Sequence, residues 1–292
     1  MSSGIRLNRY SAAMKLAKFC QCQRCVRTGF GPTILNNMAS QELNAALAAA
    51  RAAGEVIRAH YQRNPAVRLK ADASPVTEAD LRSEEVIRAT LSERFPGFGF
   101  YGEETGRHAM DAENVWLVDP IDGTKAFVRE IPFFSTQIAL LRAGRLVLGV
   151  SSAPVYGELA WAEEGGGAWL NDRPVRVSGV AALDQAGVST GNLRSLAASA
   201  RWQRFGRLVS AAGYLRGYGD FVHYHLLARG ALEVVLESDV NILDIAALTV
   251  IVREAGGTFT DLEGRAVGLA TTSVLATNGA LHAEVLGILK ET

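Results

Sequence analysis

Trp116-Leu117-Val118-Asp119-Pro120-Ile121-Asp122-Gly123-Thr124 is an apolar run that ends on two acids three residues apart. A buried strand would deliver Asp119, Pro120 would fix a turn, and Asp122 would return to the same point, so that both carboxylates face one spot. Carboxylates that close repel and raise each other's pKa unless a cation lies between them. Oxygen donors with no His or Cys nearby favour magnesium, or manganese, over zinc. The Gly123-Thr124 backbone that follows offers amide protons at a turn or helix start, a recurrent way of holding a phosphate oxygen. A metal beside an anion cradle implies phosphoryl chemistry.

Other acids also gather where elements end: Glu103 and Glu104 after a short strand, and Asp244 at the start of a strongly apolar helix. Upstream, Leu43, Leu47, Ala50, Gly54, Ile57 and Tyr61 recur at spacings of four and three, the face of one helix that Asn64-Pro65 should end. Thr77 with Asp80 three residues on reads as the capped start of a second helix running to about Phe95-Pro96-Gly97. The period then falls toward two. Strands are expected near 98–101, 115–118, 135–141, 146–151, 158–162 and 168–170, an antiparallel-rich sheet. Beyond Val180, strands near 186–189, 232–236, 258–260 and 273–276 alternate with helices near 201–212, 221–228 and 242–255 and a C-terminal helix. The expected architecture is layered α/β in two coupled halves, 41–180 and 181–292, with the site at their interface.

The order of these pieces resembles the inositol monophosphatase family of magnesium-dependent, lithium-sensitive phosphatases. The resemblance rests on Pro75-Val76-Thr77-Glu78-Ala79-Asp80, Gly102-Glu103-Glu104, Asp119-Pro120-Ile121-Asp122-Gly123-Thr124, and Asp244-Ile245-Ala246-Ala247 leading to Glu254-Ala255-Gly256-Gly257, over residues 41–290. It implies an α-β-α-β-α layered sandwich. It further implies that Glu103, Asp119 and the carbonyl of Ile121 hold one magnesium, that Asp119, Asp122 and Asp244 hold a second, and that Asp80 serves a weaker third. Thr124, paired with Glu103, would orient and deprotonate the attacking water, and the Gly123 and Thr124 amides would hold phosphate oxygens beside Asp122. One departure is visible: Leu243 stands where the family usually has Trp.

Gly217-Tyr218-Gly219-Asp220-Phe221 and Lys125-Ala126-Phe127-Val128-Arg129 look most like the histidinol-phosphatase branch. Histidinol phosphate carries an ammonium, and a pocket carboxylate such as Asp220 or Glu237 would pair with it. Glu237 also matches the position that contacts inositol hydroxyls in inositol phosphatases, so Asp220 carries the distinction, unless it merely caps its helix or braces Arg216. His223 and His225 are expected as packing or surface residues. The other substrates that the resemblance allows are inositol 1-phosphate and 3′-phosphoadenosine 5′-phosphate. A non-enzymatic alternative is a scaffold in transcription complexes, the role of one bacterial branch.

Composition bounds the partners. Thirty Lys and Arg balance thirty Asp and Glu over 292 residues, which removes the basic excess that general nucleic-acid binding needs. A small-molecule phosphate ester is the expected ligand. The imbalance lies at the head: six basic residues and no acid precede Glu42. Residues 1–40 are expected to be a basic, disordered extension, with an organellar transit peptide or a start at Met38 as alternatives. Cys20, Cys22 and Cys25 lack a nearby fourth ligand for a metal, and no other Cys is present. That usage fits a reducing compartment, and no apolar run reaches membrane length, so a cytoplasmic protein with no membrane partner is expected, and the family resemblance implies a homodimer.

Overall fold

Alanine sets the spacing of the outermost layer in the computed structural model, which describes residues 39–63, 67–69 and 75–290. Ala45, Ala46, Ala49, Ala50 and Ala53 are fully buried on helix α1 (Gln41–His60) and let it lie close against helix α2 (Glu78–Arg94). Leu43 and Ile57 of the expected face are buried with them, while Leu47 and Tyr61 are half-buried. Ser40 caps α1 by accepting from the Leu43 amide at 3.0 Å. The helix ends at His60, and the expected stop at Asn64-Pro65 lies outside the described residues. So do the head up to residue 38, with its three cysteines, and Ser74.

A two-stranded hairpin of β1 (Val67–Leu69) and β2 (Pro75–Thr77) leads into α2. Eight strands follow: β3 (Gly99–Gly102), β4 (Gly106–His108), β5 (Asn114–Asp122), β6 (Ser135–Arg142), β7 (Arg145–Ala153), β8 (Glu158–Glu163), β9 (Ala168–Leu170) and β10 (Arg173–Val175). They form one sheet in the order β10-β9-β8-β7-β6-β5-β3-β4, antiparallel except where β3 runs parallel to β5. A second sheet, β12-β11-β13-β15-β14, comprises β11 (Gly187–Thr190), β12 (Tyr214–Arg216), β13 (Val234–Ser238), β14 (Thr258–Thr260) and β15 (Ser273–Thr277). The remaining helices are α3 (Thr124–Val128), α4 (Arg194–Ala197), α5 (Arg201–Ala211), α6 (Asp220–Ala228), α7 (Ile242–Glu254) and α8 (His282–Lys290).

Strand alternation assigns the layers. On β5, Val115 and Leu117 join one apolar cluster with Val235 of β13 and with α6 and α7, so those helices lie between the sheets. Val234 and Leu236 point the other way, onto Phe205 and Leu208 of α5 and Val285 and Leu289 of α8. With α1 and α2 packed on β5, β6 and β7, the order is α-β-α-β-α, the expected sandwich. Helix α7 is apolar on nearly every face, from Ile242 through Val252, because sheets cover both its sides. Each fully buried Leu, Ile or Val there contributes about 1.5–3 kcal/mol.

The strands and helices expected from periodicity are present within a few residues of their expected ends. The short elements β1, β2, β4, β10, β12, α3 and α4 are additional. Each spans three to five residues, too few to show a period.

Candidate active site

Residues three apart on a regular strand point to opposite faces, yet Asp119 and Asp122 share one. The reason is a β-bulge: Asp119 pairs with Gln137 and Asp122 with Ser135, so β5 carries one more residue than β6 between the two pairs. Pro120 and Ile121 occupy the bulge, and the expected turn at Pro120 is corrected to a strand that continues through Asp122. Pro fits there because a bulged position needs no ladder N–H. The Ile121 amide donates to Asp119 Oδ1 at 2.9 Å, and the Thr136 hydroxyl donates to the Pro120 carbonyl at 2.8 Å. Gly123 then turns the chain at φ 91°, with the Phe133 carbonyl 2.7 Å from where a Cβ would stand, so a side chain there meets both strain and collision.

The third acid arrives on α7. Asp244 closes a capping box, accepting from the Asn241 amide at 2.9 Å and from Asn241 Nδ2 at 2.7 Å, while Asn241 Oδ1 accepts from the Leu243 amide. The helix terminus favours its negative charge. Oxygens of Asp119, Asp122 and Asp244 lie within 4.8 Å of one another. Burial raises all three carboxyls above the usual range, Asp244 to about 7. Mutual repulsion adds to this: Glu103 and Asp244 act on Asp119, and Asp244, Asp119, Asp220 and Glu237 act on Asp122. Oxygen donors gathered at this density fit a divalent cation. Leu243, in the place of the family's Trp, is buried in the cluster between the sheets.

Glu103 follows β3, its amide donating to the Val118 carbonyl at 3.1 Å. A residue that the sequence reading missed holds this turn. Glu84 of α2, buried, accepts from the Glu104 amide at 2.8 Å and the Thr105 amide at 2.7 Å, and it occupies the space over Gly102. The only signal in the sequence was a charge at a buried helical spacing.

Asp80 is buried in the capping box of α2, where Oδ2 accepts from the Thr77 amide at 2.8 Å and the Thr77 hydroxyl at 2.6 Å. Burial raises its carboxyl despite those bonds. Its Oδ1 lies 3.1 Å from the Thr124 hydroxyl, which is also 3.0 Å from the Ile121 carbonyl. Asp80 is thus a hydrogen-bond partner of Thr124, because the start of α3 packs against the β2–α2 corner.

Beside these acids lies a pocket of about 300 Å³ lined by Thr190, Asn192, Tyr218, Asp220 and Glu237 among others. Asp220 neither caps its helix nor braces Arg216. Gly219 is the cap, and Asp220 is the first helical residue, at φ 46°. Its carboxylate makes no hydrogen bond or ion pair with another described residue. Burial and Glu237 push it to about 6, with His223 acting the other way. Glu237 is buried, which alone would raise it, but His223 and hydrogen bonds from His223, Tyr224 and the Asn192 amide bring it below the usual range. His223 and His225 are both buried packing residues rather than surface ones.

The inositol monophosphatase family model matches residues 38–292, and the chain belongs to that family of metal-dependent phosphatases. A histidinol-phosphatase of Mycobacterium tuberculosis is 42% identical over 85% of this chain and 98% of its own. An inositol-1-monophosphatase of Mesorhizobium japonicum is 34% identical over 88% of this chain and 96% of its own. The extragenic suppressor protein suhB from Bartonella henselae superposes with TM-score 0.80 at 33% identity, over 86% of this chain and 99% of the other.

Proposed function

We propose that this member of the inositol monophosphatase family hydrolyses histidinol phosphate, a small phosphate monoester that carries a protonated amine. The observation that carries the choice of ester is Asp220: a carboxylate held at positive φ, without a protein partner among the described residues, in the pocket beside the metal-binding acids. Strain kept at an otherwise idle residue points to a ligand. The 42% identity to a histidinol-phosphatase supports the same reading.

Asp119, Asp122 and Asp244 would hold one magnesium, with Asp119 shared by a second at Glu103 and the Ile121 carbonyl, and Asp80 nearest a third; manganese could replace them. Bound cations supply acidification of water and neutralisation of phosphate charge. The chain's own groups do the rest. Thr124 Oγ1 would accept a proton from the attacking water as its own proton passes to Asp80 Oδ1, and Glu103 would help to orient the water. The amides of Gly123 and Thr124 bind phosphate oxygens, and the amine pairs with Asp220. Glu237 lends a second negative pole.

Phosphate release measured in parallel from histidinol phosphate, inositol 1-phosphate and 3′-phosphoadenosine 5′-phosphate, with magnesium and with chelator, tests this. Histidinol phosphate should give the highest kcat/KM, and chelator should abolish it. A higher value for inositol 1-phosphate would transfer the assignment to the polyol. No turnover of any ester would favour a non-enzymatic role.

A further inference from the structure

The two acids of the selectivity pocket differ in how they are held. Glu237 is fully engaged: Oε2 accepts from the Tyr224 hydroxyl at 2.6 Å and from His223 Nε2 at 3.2 Å, and Oε1 accepts from the Asn192 amide at 3.2 Å. Asp220 has no such partner among the described residues. The direction of the bonds behind Glu237 follows from its carboxylate, which can only accept, so His223 Nε2 carries a proton. The Tyr218 amide donates to Ser189 Oγ at 3.2 Å, and Ser189 Oγ lies 3.3 Å from His223 Nδ1. With the proton of a neutral ring on Nε2 and donated to Glu237, Nδ1 accepts from the Ser189 hydroxyl. Tyr218 lies two residues before Asp220, so this relay ties the loop bearing Asp220 to Glu237. Every side chain between them, Ser189, His223 and Tyr224, is buried, and none lines the pocket.

We propose that His223 is a positioning residue for substrate selectivity: the relay Tyr218 N–H, Ser189, His223 fixes Glu237 and the Asp220 loop in register. Together they present a preorganised pair of carboxylates to an organic ammonium. This rests on the reading of the pocket as one for a cationic ester. An engaged Glu237 needs little reorganisation when the amine arrives, and Asp220 supplies the direct ion pair. A neutral polyol leaves the Asp220 charge desolvated and unpaired, which penalises the wrong ester more than it helps the right one. His223 touches neither phosphate nor metal-binding acids; its effect on turnover passes through Glu237.

The test is the ratio of kcat/KM for histidinol phosphate to that for inositol 1-phosphate, in magnesium, with thermal midpoints recorded for each protein. His223→Leu should lower the ratio about tenfold, mainly through a higher KM for histidinol phosphate. His223→Gln, which can return an N–H near the Nε2 position, should restore it to within about threefold of wild type. Tyr224→Phe removes one hydroxyl with little change in packing and should lower the ratio about fivefold, which decides the matter should His223→Leu not fold. A wild-type preference that both His223→Leu and Tyr224→Phe leave intact overturns the relay alone. Equal losses on both esters make His223 and Tyr224 merely structural, and a wild type without preference for the ammonium ester overturns the relay together with the reading beneath it.

Discussion

Replacing Asp244 by Asn should change stability in opposite directions with and without metal. Its carboxyl is held at about 7 instead of 3.8, chiefly by burial and then by Glu103 and Glu237, against the bonds from Asn241. Ionising it at pH 8 therefore disfavours the folded state by roughly 4 kcal/mol. Asn keeps one acceptor for the Asn241 amide but loses the bond from Asn241 Nδ2, at a cost of about 1 kcal/mol. In chelator at pH 8 the variant should thus be more stable by about 3 kcal/mol, or about 6–12 °C in thermal midpoint for a chain of this size. Magnesium at about 100 times its Kd stabilises the wild type by about 2.7 kcal/mol and should nearly close the gap, and higher magnesium should invert it. The advantage should also shrink as the pH falls from 7 toward 4, as the wild-type carboxyl becomes protonated in the folded state and close to half protonated in the unfolded one. Differential scanning calorimetry in EDTA and in magnesium chloride reads both effects. An equal loss of stability under every condition would mean that Asp244 is only a helix cap.

Four further outcomes follow from the same geometry. Chelated wild type should lose thermal stability as the pH rises from about 4 to 8, because Asp220 and Asp244 bind protons more tightly folded (about 6 and about 7) than unfolded; a flat or rising midpoint contradicts this. Asp122→Asn should cut turnover more than about 100-fold with native circular dichroism, since even indirect partners of metal sites cost 10–100-fold; near-native kcat would remove Asp122 from the proposed role. Glu84→Ala should cost about 3 kcal/mol in urea melts and raise the magnesium concentration needed for half-maximal rate, because the turn of Glu103 loses its two charge-assisted bonds; unchanged magnesium dependence would leave Glu84 a purely structural strut. Gly123→Ala should depress kcat strongly, given φ 91° and the Phe133 carbonyl, and wild-type kinetics would show that the turn has slack.

The layered fold was legible because its long elements carry clear periods. Helix α7 shows as a strongly apolar block behind Asp244, and β6 and β7 as strands over most of their lengths. Thr77 and Asp80 announced their capping box by spacing alone. The bulge at Pro120 was not legible: one added residue in β5 shows only against the register of β6, a non-local fact. Glu84 was hidden for a similar reason, since a charge on a helix reads as solvated until the turn that it holds, about twenty positions on, is folded against it. The bond from Thr124 to Asp80 was not legible either, because chain order does not show which acid the start of α3 meets. His223 read as packing, which its burial agrees with, and the sequence held no sign of its bond to Glu237.

The most direct measurement is anomalous diffraction from crystals soaked in manganese chloride. Manganese peaks should lie in contact with the carboxylates of Asp119, Asp122 and Asp244, and a further peak should lie between Asp119 and Glu103. Ordered side chains at those positions without a peak among them would contradict the account.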